Sequence, residues 1–261
     1  MGSIQHIAVI TGASSGIGAE FARQLAARGC YVLLCGRNEE RLRALRKEIG
    51  ADKCDYFTAD ISDTRSCIDL YAALREYHPD ILINNAGFGV YGDFTESSLT
   101  KELSMIDVNI KAMHLLFKLF LKDFEKQGRG YILNTGSIAG FLPGPHMSSY
   151  YSSKAYVVRQ TVAVHTELAM RKSPVHVSVL CPGPVTTDFN RNAGISSIFK
   201  GISPEECVAY TLRQMKHAPL FIIPTLYCKA IAAGSHLVPQ RLSSFAAYLM
   251  QKGKKRIEDD A

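Results

Sequence analysis

Short apolar runs alternate with longer amphipathic stretches along almost the whole chain, and this alternation restricts the fold more than any other feature. Strands are expected at 6–11, 31–35, 54–59, 81–84, 131–135, 175–180 and 220–223, with helices at 16–28, 39–49, 63–77, 99–125, 149–172 and 203–217. The last helix carries its own start signal: Ser203 as cap, Pro204 at the first position and Glu205 and Glu206 in the first turn. The strands are rich in Val, Ile and Leu, as strands buried on both faces must be. Strands and helices in alternation imply a parallel α/β sheet, wound in both directions, with helices on both faces. The 261 residues suffice for one domain, expected over 1–225, followed by an apolar and basic extension over 226–261.

Bulk properties exclude several classes. Hydrophobic residues make up 47% of the chain, too many for a disordered segment. The net charge of +6 is scattered apart from Lys252, Lys254, Lys255 and Arg256, and no nucleic-acid motif accompanies it. The seven cysteines form no CxxC pair, so they are expected to be reduced thiols of a cytoplasmic protein with no metal site. The chain enters its first strand at once, leaving no room for a signal peptide, and no apolar run approaches the roughly 18 residues of a membrane span.

The first strand runs straight into Gly12, Gly16 and Gly18. A tight glycine turn between a strand and a helix brings the backbone close to a pyrophosphate and offers the helix N-terminus to it, the Rossmann-type arrangement for a dinucleotide. Where an NAD enzyme would carry a carboxylate after the second strand, this chain has Arg37. A guanidinium suits a 2′-phosphate, which favours NADP(H); the alternative is a solvated arginine near a helix start. Asp60 could meet an adenine amino group or cap the next helix. Candidate cofactor contacts are Gly12, Ser14, Ser15, Gly16, Ile17 and Gly18 in the turn, Arg37, then Asp60 and Ile61, then Asn85, Ala86 and Gly87 after the fourth strand. Pro182, Gly183, Val185 and Thr187 complete the set after the sixth strand, where a threonine hydroxyl could hold the nicotinamide carboxamide.

Acid–base chemistry is expected at Tyr150 and Lys154. The two share one helix face, and Ser137 lies upstream at the carboxyl edge of the sheet. A second Tyr-x-x-x-Lys, Tyr248 with Lys252, lacks such a serine and is expected only to pack. A free tyrosine, with a pKa of about 10, is a poor catalyst near neutrality. A lysine ammonium nearby favours the phenolate and lowers that pKa. Ser137 can bond a carbonyl oxygen without titrating. The trio suits interconversion of a carbonyl and an alcohol and needs no metal. Lys154 can also bond ribose hydroxyls.

Over residues 4–225 the chain resembles the short-chain dehydrogenase/reductase family. The matches are Thr11-Gly12-Ala13-Ser14-Ser15-Gly16-Ile17-Gly18, Asn84-Asn85-Ala86-Gly87, Asn109, Gly136-Ser137, Tyr150-x-x-x-Lys154 and Pro182-Gly183. The resemblance implies that Tyr150 is the general acid in reduction and the base in oxidation, and that Ser137 orients the substrate oxygen. It further implies that Lys154 binds ribose and lowers the tyrosine pKa, and that Asn109 holds a water in a proton relay. Residues Phe88 to Phe94 look like the bacterial branch near hydroxysteroid dehydrogenases and long-chain 3-oxoacyl reductases. The expected activity is NADP(H)-dependent oxidoreduction of a sizeable apolar ketone or secondary alcohol, such as a steroid or bile acid. A 3-oxoacyl or small carbonyl reductase, or a non-catalytic NADP sensor, are the alternatives.

Two regions imply partners. The helices at 99–125 and 149–172 carry more apolar residues than one packing face uses, which implies a homodimer or homotetramer. The segment 224–252 holds ten large apolar residues interrupted by Gly234 and Pro239. It is expected to cap the cleft or a neighbouring subunit in preference to lying on a membrane surface.

Overall fold

The computed structural model describes residues 6–189, 193, 201–235 and 237–252. Seven strands form one parallel sheet: β1 (Ile7–Thr11), β2 (Tyr31–Gly36), β3 (Cys54–Thr58), β4 (Ile81–Asn84), β5 (Gly130–Thr135), β6 (Val175–Leu180) and β7 (Phe221–Ile222). Their order is β3-β2-β1-β4-β5-β6-β7, so the winding direction reverses between β1 and β4. A crevice opens at the carboxyl ends of the strands at such a switch point.

Successive side chains of each strand feed two cores. Val9, Leu33, Leu82, Ile132 and Val177 pack under α3 (Thr64–Arg75), α5 (Met113–Gln127) and α6 (Ser148–Met170). Ile10, Leu34, Ile83, Leu133 and Leu180 pack under α1 (Gly16–Ala26), α2 (Glu39–Ile49) and α7 (Pro204–Met215). Burial on both faces explains why the strands read as unbroken apolar runs. Between β4 and β5, Asn84 donates to the Met113 carbonyl and to Asn134, which donates to Thr161 of α6. These buried amides are paired, so they tie the layers together without a desolvation penalty. All seven cysteines are buried.

Two expectations need correction. The helix foreseen at 99–125 is three pieces: α4 (Leu99–Ile106), a π-helical stretch Asp107–Ala112, and α5. A π insertion re-aims the side chains it carries, and Asn109 lies within it. The last strand shortens to two residues, which pair with Val179 and Leu180 of β6. The break expected at Gly234 and Pro239 falls between α8 (Leu226–Gly234) and α9 (Gln240–Lys252), where the Pro239 carbonyl accepts from the amides of Leu242 and Ser243. Lys254, Lys255 and Arg256 of the basic tail lie outside the described residues. No described helix is long and apolar enough to cross a membrane.

Candidate active site

One cavity of about 760 Å³ runs along the carboxyl edge of the sheet. Every candidate residue named from the sequence lines it except Gly18 and Asn109. Those two stand directly behind its wall. A Cβ on Gly18 would sit 2.2 Å from the Gly12 carbonyl oxygen, so only glycine lets α1 begin this close to β1. The capping position of α1, Ser15, has no side-chain hydrogen bond to the first turn. The first-turn amides and the positive helix end therefore face the cavity without a side-chain rival, and a pyrophosphate fits there.

The opposite wall is held by Thr11. Its hydroxyl accepts from the amides of Asn85 and Ala86 at 2.9 and 3.0 Å, and its carbonyl accepts from the Asn85 side chain. Thr11 opens the glycine motif in the sequence, but its role in holding Asn85 and Ala86 had no local signal. Arg37 lies exposed at the cavity mouth with Arg41 beside it. Arg41 reaches across to Asp188 at 3.4 Å. The sequence reading missed Arg41; its signal was a second arginine one turn into the helix that follows Arg37. Asp60 accepts from the amide and hydroxyl of Ser62, so it caps a turn, while Asp63 caps α3. Burial alone would raise the Asp60 carboxyl, but the Ser62 bonds and the Arg37 charge hold it below its ordinary value.

Thr187 lines the cavity beside the glycine turn. Its methyl group packs on Gly16, and its hydroxyl accepts from the Phe189 amide.

At the other end of the cavity, α6 carries Tyr150 and Lys154, and the turn after β5 carries Ser137. The Ser137 oxygen accepts from the Ala139 amide at 3.1 Å, which fixes the rotamer and leaves the hydroxyl proton to donate. The Lys154 ammonium donates to the Thr135 carbonyl at 2.8 Å and lies 5.9 Å from the centre of the Tyr150 ring. Asn109 and Lys154 meet over the Cα of Gly87, where an added Cβ would stand 2.9 Å from Asn109 Oδ1 and 3.4 Å from Lys154 Nζ. The Asn109 amide donates to the Phe88 carbonyl and to Ser153, and its oxygen accepts from the Phe88 amide.

Electrostatics here differ from the expectation that lysine depresses the tyrosine. Burial pushes the Tyr150 phenol above its ordinary value, and the Ser137 hydroxyl pulls back only in part. Burial also draws Lys154 down to about 8, against a smaller raising effect of Cys181. Removal from water is the largest cause for each group. The result is a phenol that keeps its proton near neutrality beside a lysine that is still charged.

Beyond the phenol the walls turn apolar: Phe88, Val108, Ala139, Met147, Tyr151 and Phe189. The C-terminal extension closes this end. Gln251 of α9 lines the cavity, is buried, and donates to the Tyr151 hydroxyl at 2.6 Å. Tyr91 donates to the Gln251 carbonyl, and Tyr248 stacks on His146 with ring centres 5.2 Å apart. On α8, Tyr227 and Cys228 sit against Gly183.

The family profile described as short chain dehydrogenase matches residues 6–196. An uncharacterized oxidoreductase of Staphylococcus epidermidis is 31% identical over 217 residues, covering 82% of this chain and 93% of that protein. A short-chain dehydrogenase from Sphingobium yanoikuyae, solved in complex with NADPH, has a TM-score of 0.81 at 30% identity and covers 89% of this chain and 94% of its own. One from Burkholderia phymatum, in complex with NAD, has a TM-score of 0.80 at 25% identity and covers 89% and 92%. With its seven-stranded parallel sheet and its glycine turn, the chain belongs to the short-chain dehydrogenase family of oxidoreductases.

Proposed function

We propose that the protein reduces a sizeable apolar ketone to a secondary alcohol with NADPH. The observation that carries this reading is the convergence of Ser137, Tyr150 and Lys154 on one cavity whose far end is the uncapped start of α1. The nicotinamide cofactor would supply the hydride. Its pyrophosphate would rest on the glycine turn, and Arg37 with Arg41 would take the 2′-phosphate bidentately. The NADPH of the Sphingobium neighbour supports this choice, while the NAD of the Burkholderia neighbour keeps the family open to both.

Ser137 would hold the carbonyl oxygen, and Tyr150 would give its proton to that oxygen as the alcohol forms. The lysine uses one of its three donors on Thr135 and has two for ribose hydroxyls. Its remaining charge stabilises the tyrosinate left after transfer, and Asn109 stands where a relay returning the proton would pass. A phenol held protonated by burial favours reduction near neutral pH. The apolar walls of the inner end support a bulky substrate of the steroid or bile acid size over a small carbonyl.

The test is an absorbance assay of NADPH and NADH with steroid, bile acid, 3-oxoacyl thioester and small ketones. NADPH oxidation by the bulky ketones is expected. Turnover restricted to small carbonyls would contradict the substrate class, and faster turnover with NADH would contradict the cofactor choice.

A further inference from the structure

The C-terminal helices carry an apolar surface that faces away from the protein. Of the fourteen large apolar side chains exposed among the described residues, eight fall between Phe221 and Leu249. On α9, Ala247 and Gln251 are buried, while Leu242, Phe245 and Leu249 are 62%, 62% and 55% exposed. Spacings of three and four residues put these three on one stripe along the outer face. Leu237, 86% exposed, precedes the stripe, and Leu226 on α8 is 82% exposed. A surface helix of a soluble protein turns such a stripe inward; here the inner stripe already closes the cavity.

Along the sequence, the C-terminal segment carries charge of one sign. No Asp or Glu occurs between Glu206 and Glu258, while that interval holds eight Lys and Arg. The whole chain carries +6, so this interval's +8 leaves −2 for the rest. Arg241 and Lys252 are exposed at the two ends of α9, and Lys229 is exposed on α8. Next to Val238 and Pro239 a groove of about 360 Å³ is lined by Arg159 and by no carboxylate.

We propose that this face docks on an anionic lipid surface, with the α9 stripe among the acyl chains and Arg241, Lys252 and Lys229 among the headgroups. A short interfacial helix needs an apolar face and flanking cations, and α9 with its neighbour supplies both. A second copy of the chain suits the surface less well. Two-fold pairing would set these cations against their own copies with no nearby carboxylate in the segment to answer them. Docking would also bring the helix that closes the apolar end of the cavity to the phase in which an apolar ketone dissolves.

The experiment is flotation of the full-length protein with vesicles of phosphatidylcholine containing phosphatidylglycerol, and with phosphatidylcholine alone, at low and high salt. Sizing by light scattering runs in parallel. The protein should float with the anionic vesicles, much less with the neutral ones, and less at high salt. Leu242→Ser, Phe245→Ser and Leu249→Ser together should lower partitioning at least roughly tenfold at unchanged melting temperature and oligomeric state. Arg241→Gln with Lys252→Gln should lower it several-fold, roughly, and remove much of the salt dependence. Failure to float, equal flotation with neutral vesicles, or undiminished flotation of both variants would overturn the proposal. So would a triple variant that shrinks the oligomer and leaves flotation as it was, which would assign the stripe to a second copy.

Discussion

At the scale of single residues, two charged side chains carry the tests of cofactor choice and of pH behaviour. Arg37 stands at the mouth of the cavity where a 2′-phosphate would lie. Arg37→Ala should raise the KM for NADPH by about 10- to 150-fold, the equivalent of losing a charge-assisted pair worth roughly 1.5–3 kcal/mol, and leave that for NADH nearly unchanged. Equal losses with both cofactors would make it a structural arginine. Arg41, already bridged to Asp188, should show a smaller effect. Lys154 bears on stability. Burial holds its folded-state pKa near 8, below the unfolded value. Below pH 8 both states are protonated and the cost of burying the ammonium is present in full. Between pH 8 and about 10.5 the unfolded chain binds the extra proton, so this cost is relieved as pH rises. Without cofactor, Lys154→Met should be more stable than the wild type below pH 8, and the gap in melting temperature should narrow from pH 8 toward 10. A gap that widens over that range would contradict the buried ammonium.

At the scale of elements, helix ends do most of the positioning, and their legibility follows from the range of the forces involved. The glycine turn, the Ser203 capping box and the tyrosine and lysine one turn apart are local, and their spacing is readable directly. The π-helical stretch is not local: Asn109 is turned inward because its amide finds both the carbonyl and the amide of Phe88, 21 residues away. Thr187 likewise lands on Gly16 through tertiary packing. The contact between α9 and α6 is of the same kind, since Gln251 and Tyr151 are 100 residues apart. Gln251→Leu should leave cofactor affinity intact and raise KM for bulky ketones by roughly 2- to 10-fold, the scale of one lost hydrogen bond. No change with any bulky ketone would place α9 outside the substrate end. Gly18→Ala would press a methyl into the Gly12 carbonyl and should lower both melting temperature and cofactor affinity, with an overpacking cost of about 1–3 kcal/mol.

For the whole molecule, strand order follows from apolar runs and right-handed crossovers, so the sheet and its switch point were within reach of the sequence. The balance of pKa values was not, because it depends on how deeply Tyr150 and Lys154 are buried, and the expected depression of the tyrosine gives way to burial. That balance bears on the pH dependence of the two directions. Reduction needs the protonated phenol and should proceed near neutral pH, whereas oxidation needs the phenolate and should rise steadily into the alkaline range. The central claim is that Tyr150 delivers the proton at one end of the cavity while the cofactor is held at the other. Its most direct measurement compares NADPH oxidation by a bulky ketone, together with NADPH affinity by fluorescence titration, in the wild type and in Tyr150→Phe. Loss of general acid catalysis predicts turnover reduced about 10²–10⁴-fold with cofactor affinity and melting temperature unchanged. A Tyr150→Phe protein that keeps most of its turnover would contradict the account.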